Sequence, residues 1–178
     1  MKLVNLLIVS SLALGLLGCT PEKADETPPM KIAEGASAIY NFAHPAPNHL
    51  VGGQPEQDEV AALADSGVDA IINLRSHAEM TDIPEAQWAT ANQIAYFHIP
   101  VSGAEDLNRE TVRVFHETMQ HNQDKTLFMH CASSNRVGAL MALRAAWYQD
   151  VSAADALELG ERYGLTSLRE RVEELLNN

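Results

Sequence analysis

Cys131 and Arg136, five positions apart in "HCASSNRVGAL", are the side chains of this chain whose types and spacing could carry chemistry. They follow the apolar run "TLFM" and lead into a helical pattern. A parallel strand delivers such a junction to the carboxyl edge of a sheet, where the next helix aims its amide-rich N-terminus. A Cys131 thiolate placed there is stabilised by the helix dipole, by the loop amides of Ala132 to Val137, and by Arg136 folded back over the loop. The chemistry this suggests is nucleophilic attack on a group whose oxygens are held by the planar fork of the guanidinium. Ser133, Ser134 and Asn135 are small polar residues whose main chain can curl its amides inward as an anion nest, and Gly138 lets the helix start pack closely against the sheet. Ala132, Ser133, Ser134, Asn135, Val137 and Gly138 are therefore expected to line the substrate.

The elements that must position this loop are legible in the apolar pattern. "HLVGGQ" and "DAIINLR" are β-rich segments bracketing "PEQDEVAALADSG", which opens with proline and acids and stops at Gly67 as helices do. "IAYFHIPV" and "KTLFMH" repeat the arrangement around "NRETVRVFHETMQHN", where Asn108 and Thr111 suit a helix start. Beyond Arg136, "VGALMALRAAWYQ", "SAADALELGERYG" and "TSLRERVEELL" read as three successive helices. Alternating strands and helices imply an α/β fold with a mostly parallel central sheet flanked by helices.

His116 and His121 in "HETMQH" do not make a zinc motif. They are five positions apart, about 140° around a helix, and are expected to be exposed helix residues. No metal and no cofactor is expected.

The start of the chain speaks to compartment. "MKLVNLLIVSSLALGLLGC" has one lysine, an apolar stretch and small residues before Cys19, the form of an export signal over residues 1–18. Its end resembles the bacterial lipobox, which implies that Cys19 is lipidated and anchors the chain. Thr20 in place of aspartate then favours the outer membrane facing the periplasm. Residues 19–34, rich in proline and charge, are expected to form a tether, leaving 35–178 as one catalytic domain. With Cys19 lipidated, Cys131 is the single free thiol. Twelve basic against twenty-four acidic residues give a net charge of −12, which disfavours nucleic acid as a partner and requires any anionic substrate to be held by a local positive site.

"HLVGGQP", "GVDAIINLR", "AYFHIPV" and "LFMHCASSNRVGAL" together resemble bacterial proteins of the dual-specificity phosphatase fold, in particular the beta-lactamase hydrolase-like phosphatase-like branch. The resemblance runs from about Tyr40 to Trp147. It implies that Cys131 is the nucleophile, Arg136 the anion binder and His130 the residue that orients the loop.

Three departures bear on the reaction. Only Ala132, Ser133, Ser134 and Asn135 separate Cys131 from Arg136, one fewer than in the familiar phosphatase signature and the length found in rhodanese-type sulfurtransferases. Val137 stands where many cysteine phosphatases have Ser or Thr. In "SGAED", Glu105 and Asp106 are the only candidates for a general acid, and Asp106 reads more readily as an acidic residue near the start of the next helix. These departures lead to an expectation of thiosulfate sulfurtransferase chemistry through a Cys131 persulfide, with cyanide or a small thiol as acceptor. Hydrolysis of phosphotyrosine or another small phosphate ester through a phospho-cysteine is the alternative.

Overall fold

Four apolar runs become parallel strands because each is short, β-branched or aromatic-rich, and closed at its carboxyl end by a loop that returns through a helix. The structure, a computed structural model, describes residues 30–177. The strands are β1 (Ala43–Ala46), β2 (His49–Gly52), β3 (Ala70–Asn73), β4 (Ala95–His98) and β5 (Leu127–His130), in the spatial order β1-β2-β5-β3-β4. β2, β5, β3 and β4 are mutually parallel, and β1 pairs antiparallel with β2. Gly52 and Asn73 both register with His130, and Asn73 with His98, so the four parallel strands end on one line. That line is the carboxyl edge at which the Cys131 loop begins. The resulting α/β architecture, a mostly parallel sheet between two helical layers, is the one expected.

Alternation along the strands divides the core into two. Val51, Ile72, Leu127 and Met129 face one side and pack with α4 (Arg109–His121), α5 (Asn135–Tyr148), α6 (Ala153–Arg162) and α7 (Arg169–Leu176). Leu50, Ile71 and Phe128 face the other and pack with α1 (Glu34–Ser37), α2 (Gln57–Asp65) and α3 (Glu85–Ala91). The helix starts follow their local chemistry. Glu56 and Glu59 form a reciprocal capping box on α2, and the Asn108 side chain accepts from the Thr111 amide 3.0 Å away at α4.

Several expectations change. β1, α1 and α3 were not anticipated. The packed domain starts before residue 35: Met30 and Ile32 rest against the second core, and the Ala33 amide donates to Ser66 Oγ at 2.9 Å, so residues 30–34 are not tether. His116 is not an exposed helix residue but half-buried, stacked on Tyr148 at 4.7 Å between centroids, whereas His121 is exposed. The signal segment, Cys19 and Thr20 lie outside the described residues.

Gly138 does its work against α6 and not against the sheet. A Cβ there would lie 2.5 Å from the Gly160 carbonyl oxygen and 2.7 Å from Leu165 Cα, both backbone atoms that cannot swing aside. Gly138→Ala should therefore destabilise the domain by about 3 kcal/mol. The measurement is a thermal melt followed by circular dichroism, in which Tm should drop by roughly 10 °C. An unchanged Tm would show that the α5–α6 contact is looser than described.

Candidate active site

Strand β5 ends at His130, and Cys131 opens the loop. The thiol is 1 % exposed and shares an apolar cluster with Val101, Leu107 and Val137. Ser134 takes a left-handed conformation, φ 67°, which turns the chain sharply into α5. One residue into that helix, Arg136 reaches the segments that follow β3 and β4. Its Nη1 donates to the Val101 carbonyl at 2.6 Å and to Glu79 Oε2 at 2.7 Å, and its Nη2 donates to Glu79 Oε1 at 2.9 Å. The hydrogen bond to Glu79 foremost, against the opposing effect of burial, and then the charge of Cys131 hold the guanidinium above its ordinary pKa. Arg136 is thus a permanently charged, preoriented fork beside Cys131.

Glu79 was not found from the sequence. It sits on the short turn Ala78–Met80 after β3, and its Oε2 also accepts from the Ser76 amide and hydroxyl at 2.8 and 2.9 Å. Arg136 above all holds its carboxyl well below the usual range, so it stays a carboxylate. The available signal was Arg75 four residues earlier, which reads as a routine local ion pair. That pair exists, Nε to Oε1 at 3.3 Å, and Arg75 Nη1 also reaches Gln54 Oε1 at 2.8 Å. The chain Gln54–Arg75–Glu79–Arg136 therefore ties together the loops that leave β2, β3 and β5. Arg75 acts here as a strut of the arginine clamp.

A second network lies beneath the loop. His130 Nε2 is 2.9 Å from Glu85 Oε1 with both side chains fully buried, and His130 Nδ1 is 3.3 Å from the Cys131 carbonyl oxygen. Glu85 Oε2 accepts from Asn73 Nδ2 at 2.9 Å and from the Tyr96 hydroxyl at 3.1 Å. Burial pushes the Glu85 carboxyl up, but the charge and hydrogen bonding of His130, with Tyr96 and Gln54, outweigh it and leave it below its ordinary value. Burial first, then the neighbouring Glu85 charge, push the Tyr96 phenol up. His130 thus meets the loop at its first carbonyl and is braced from below by a buried carboxylate, a position suited to orienting the loop.

Of the residues expected to line the anion through their amides, several have side chains engaged elsewhere. Asn135 turns away: its Oδ1 accepts from the Thr166 amide at 2.8 Å and its Nδ2 donates to Ser167 Oγ at 2.7 Å, so its side chain fastens the α6–α7 corner. Val137 is fully buried in the core, and the space beside Gly138 is filled by the Gly160–Leu165 backbone. None of these three offers a side chain to substrate. Neighbours on a helix start point in divergent directions, so sequence adjacency to Cys131 does not place a side chain at the anion. Ala132 is exposed, while Ser133, half-buried, and Ser134, buried, line a cleft on the loop's outer flank.

The model of a protein family described as a DSP-PTPase phosphatase fused to NAD+ kinase matches residues 44–174. The chain belongs to this family. No curated protein matches. Among solved structures, a DUF442 protein from Shewanella putrefaciens CN-32 superposes with a TM-score of 0.64 at 23 % identity, covering 81 % of this chain and 95 % of its own. The catalytic core of the Saccharomyces cerevisiae PP-IP phosphatase Siw14, in complex with citrate, gives 0.61 at 16 % identity over 78 % and 86 %. A cysteine-to-serine variant of Pseudomonas aeruginosa TpbA bound to pTyr gives 0.58 at 16 % over 84 % and 89 %. At these identities the likeness is one of fold. The dual-specificity phosphatase-like architecture expected from the sequence is the observed one.

In this DSP-PTPase family member, Asp106 occupies the turn Ala104–Asp106 of the loop that leaves β4. It accepts from the Ser102 amide through Oδ2 at 2.6 Å, so one carboxylate oxygen shapes the loop. The same loop carries Val101, whose carbonyl accepts from Arg136. Asp106 is therefore carried on a segment anchored to the arginine, and Glu105 beside it is exposed.

Proposed function

We propose that this chain hydrolyses phosphate monoesters through a phospho-cysteine. The observation that carries the proposal is the Arg136 guanidinium, locked by Glu79 and the Val101 carbonyl over the carboxyl edge where Cys131 stands. Membership of a phosphatase family supports the same reading. In the first step Cys131 sulfur attacks phosphorus, an S–P bond forms and the P–O ester bond breaks. The leaving oxygen takes a proton, for which Asp106 is the candidate donor. In the second, water attacks phosphorus, the S–P bond breaks, inorganic phosphate departs and the thiolate is restored. Arg136 and the loop amides hold the equatorial oxygens while charge develops on them.

This replaces the sulfurtransferase reading of the loop length. The family match outweighs the count of residues between Cys131 and Arg136, after which a left-handed turn at Ser134 starts the helix. Thiosulfate, cyanide and thiol acceptors find no support in the family match, whereas a small anionic phosphate ester does. Export and lipid anchoring through Cys19, at the outer membrane facing the periplasm, are proposed on the signal alone.

The test is one panel with the purified domain: phenyl phosphate, para-nitrophenyl phosphate, and thiosulfate with cyanide. Phosphate release should dominate. Asp106→Asn keeps the acceptor for the Ser102 amide yet cannot donate a proton, so kcat on phenyl phosphate should fall on the order of 100-fold. Para-nitrophenyl phosphate, whose leaving group needs no proton, should be affected much less. Thiocyanate formation without ester hydrolysis would return the loop to sulfur chemistry.

A further inference from the structure

We propose that Asn73 is a positioning residue for the reaction, holding the His130 brace beneath the nucleophile and the Arg136 clamp beside it as one unit. The proposal rests on the phosphatase reading and assigns a role inside that same site. Asn73 closes β3 at the carboxyl edge, in register with His130 on one side and His98 on the other. Its side chain is fully buried against α3, whose Glu85 it meets.

Each arm of the amide has its own task. Oδ1 accepts from the Arg75 amide, two residues on, at 2.7 Å, and so turns the chain into the segment that carries Arg75 and Glu79. Nδ2 donates to the Tyr96 hydroxyl at 2.7 Å and to Glu85 Oε2 at 2.9 Å, with Met80 Sδ a third acceptor at 3.3 Å. A backbone N–H is met only by the amide oxygen and a carboxylate only by its nitrogen, so the side chain has one orientation. Through Oδ1 it holds the turn whose Glu79 grips Arg136 with both oxygens. Through Nδ2 it holds Glu85, whose other oxygen lies 2.9 Å from His130 Nε2. A continuous polar path therefore runs from the residue before the nucleophile to the arginine that holds the anion. A buried amide needs partners merely to be stable. What singles out Asn73 is that its two arms lead to the two groups the reaction uses.

Aspartate at this position keeps the shape and the acceptor but loses the donors. The titratable and charged groups around it are Glu85 from α3, Tyr96 and His98 from β4, His130 from β5, and Arg75 and Glu79 on its own turn. Asn73→Asp sets a second carboxyl beside Glu85, and two carboxyls that close share one proton. At low pH that proton stands in for the amide donor. As pH rises it is lost, the two carboxylates repel, and the turn bearing Glu79 should move with them.

The experiment compares phenyl phosphate turnover, tungstate affinity and thermal melts in the wild type, Asn73→Asp and the exchange variant Asn73→Asp/Glu85→Gln, in which an amide at position 85 donates to a carboxylate at position 73. At neutral pH and well below Tm, Asn73→Asp should weaken tungstate binding about tenfold and lower kcat/KM on the order of 30-fold. Its deficit in kcat/KM against the wild type should shrink roughly fivefold from about pH 8 to about pH 5.5. The exchange variant should bind tungstate within about threefold of the wild type and lose the pH dependence of the deficit. A purely structural role lowers Tm and leaves tungstate affinity, activity per folded molecule and the pH ratio unchanged. If Asn73→Asp behaves in that way, or the exchange variant recovers nothing, the proposal is overturned and the phosphatase reading stands. Should Asn73→Asp fail to fold, Tyr96→Phe removes only the hydroxyl shared by Asn73 and Glu85 and should weaken tungstate binding about threefold, and unchanged affinity there overturns the proposal. If the wild type turns over no ester, the phosphatase reading falls, and tungstate affinity still decides whether Asn73 positions Arg136.

Discussion

Cys131→Ser should reduce ester hydrolysis by roughly 10⁴-fold or more while the domain melts within a few degrees of the parent. The side chain is buried at the base of the loop, so exchange of sulfur for oxygen changes shape little. What changes is the nucleophile. A hydroxyl at neutral pH is not ionised, and the Arg136 guanidinium beside it cannot supply the missing base. The variant should still bind tungstate, an oxyanion of phosphate shape, because Arg136 and the loop amides are untouched. Turnover within tenfold of the parent would remove Cys131 from the mechanism.

Arg136→Lys should lower kcat/KM on the order of 10³-fold, although charge is conserved. An ammonium cannot at once meet both Glu79 oxygens, the Val101 carbonyl and an incoming oxyanion, all of which the planar fork reaches from one place. Because Glu79 lies between Arg136 and Arg75, its own substitution should act through the arginine. A double-mutant cycle of Arg136→Lys with Glu79→Gln measures that dependence, and the double variant should lose far less than the product of the two single losses. Strict multiplicativity would mean that Glu79 does not position Arg136.

The parts of this molecule written in local pattern were legible. Apolar runs closed by Gly, Pro or charge located β2, β3, β4 and β5, and the junction at Cys131 located the carboxyl edge. β1, "AHPA", carries too little apolar alternation to be seen and owes its existence to pairing with β2. The carboxylates that complete the site were illegible for another reason. Glu79 meets Arg136 across 57 residues, and Glu85, in an unremarkable helix start after Pro84, meets His130 only once the sheet has formed. The side-chain roles of Asn135 and Val137 were illegible in the opposite sense. Both residues lie next to the arginine in sequence, yet the helix turns each toward protein.

The α6–α7 corner is bolted to the back of the catalytic loop. Asn135 closes on Thr166 and Ser167, Gly164 at φ 96° leaves no room for a side chain against Ser134, and Gly138 lies against Leu165. Loop and corner are therefore expected to share one opening equilibrium, separate from that of the sheet below. Amide protons of residues 132–138 and 164–168 should exchange with solvent as a single cooperative unit, and denaturant too dilute to unfold the strands should extinguish activity by releasing that unit alone. The working lifetime of the enzyme is then set at a corner that lies outside the Cys131–Arg136 pair.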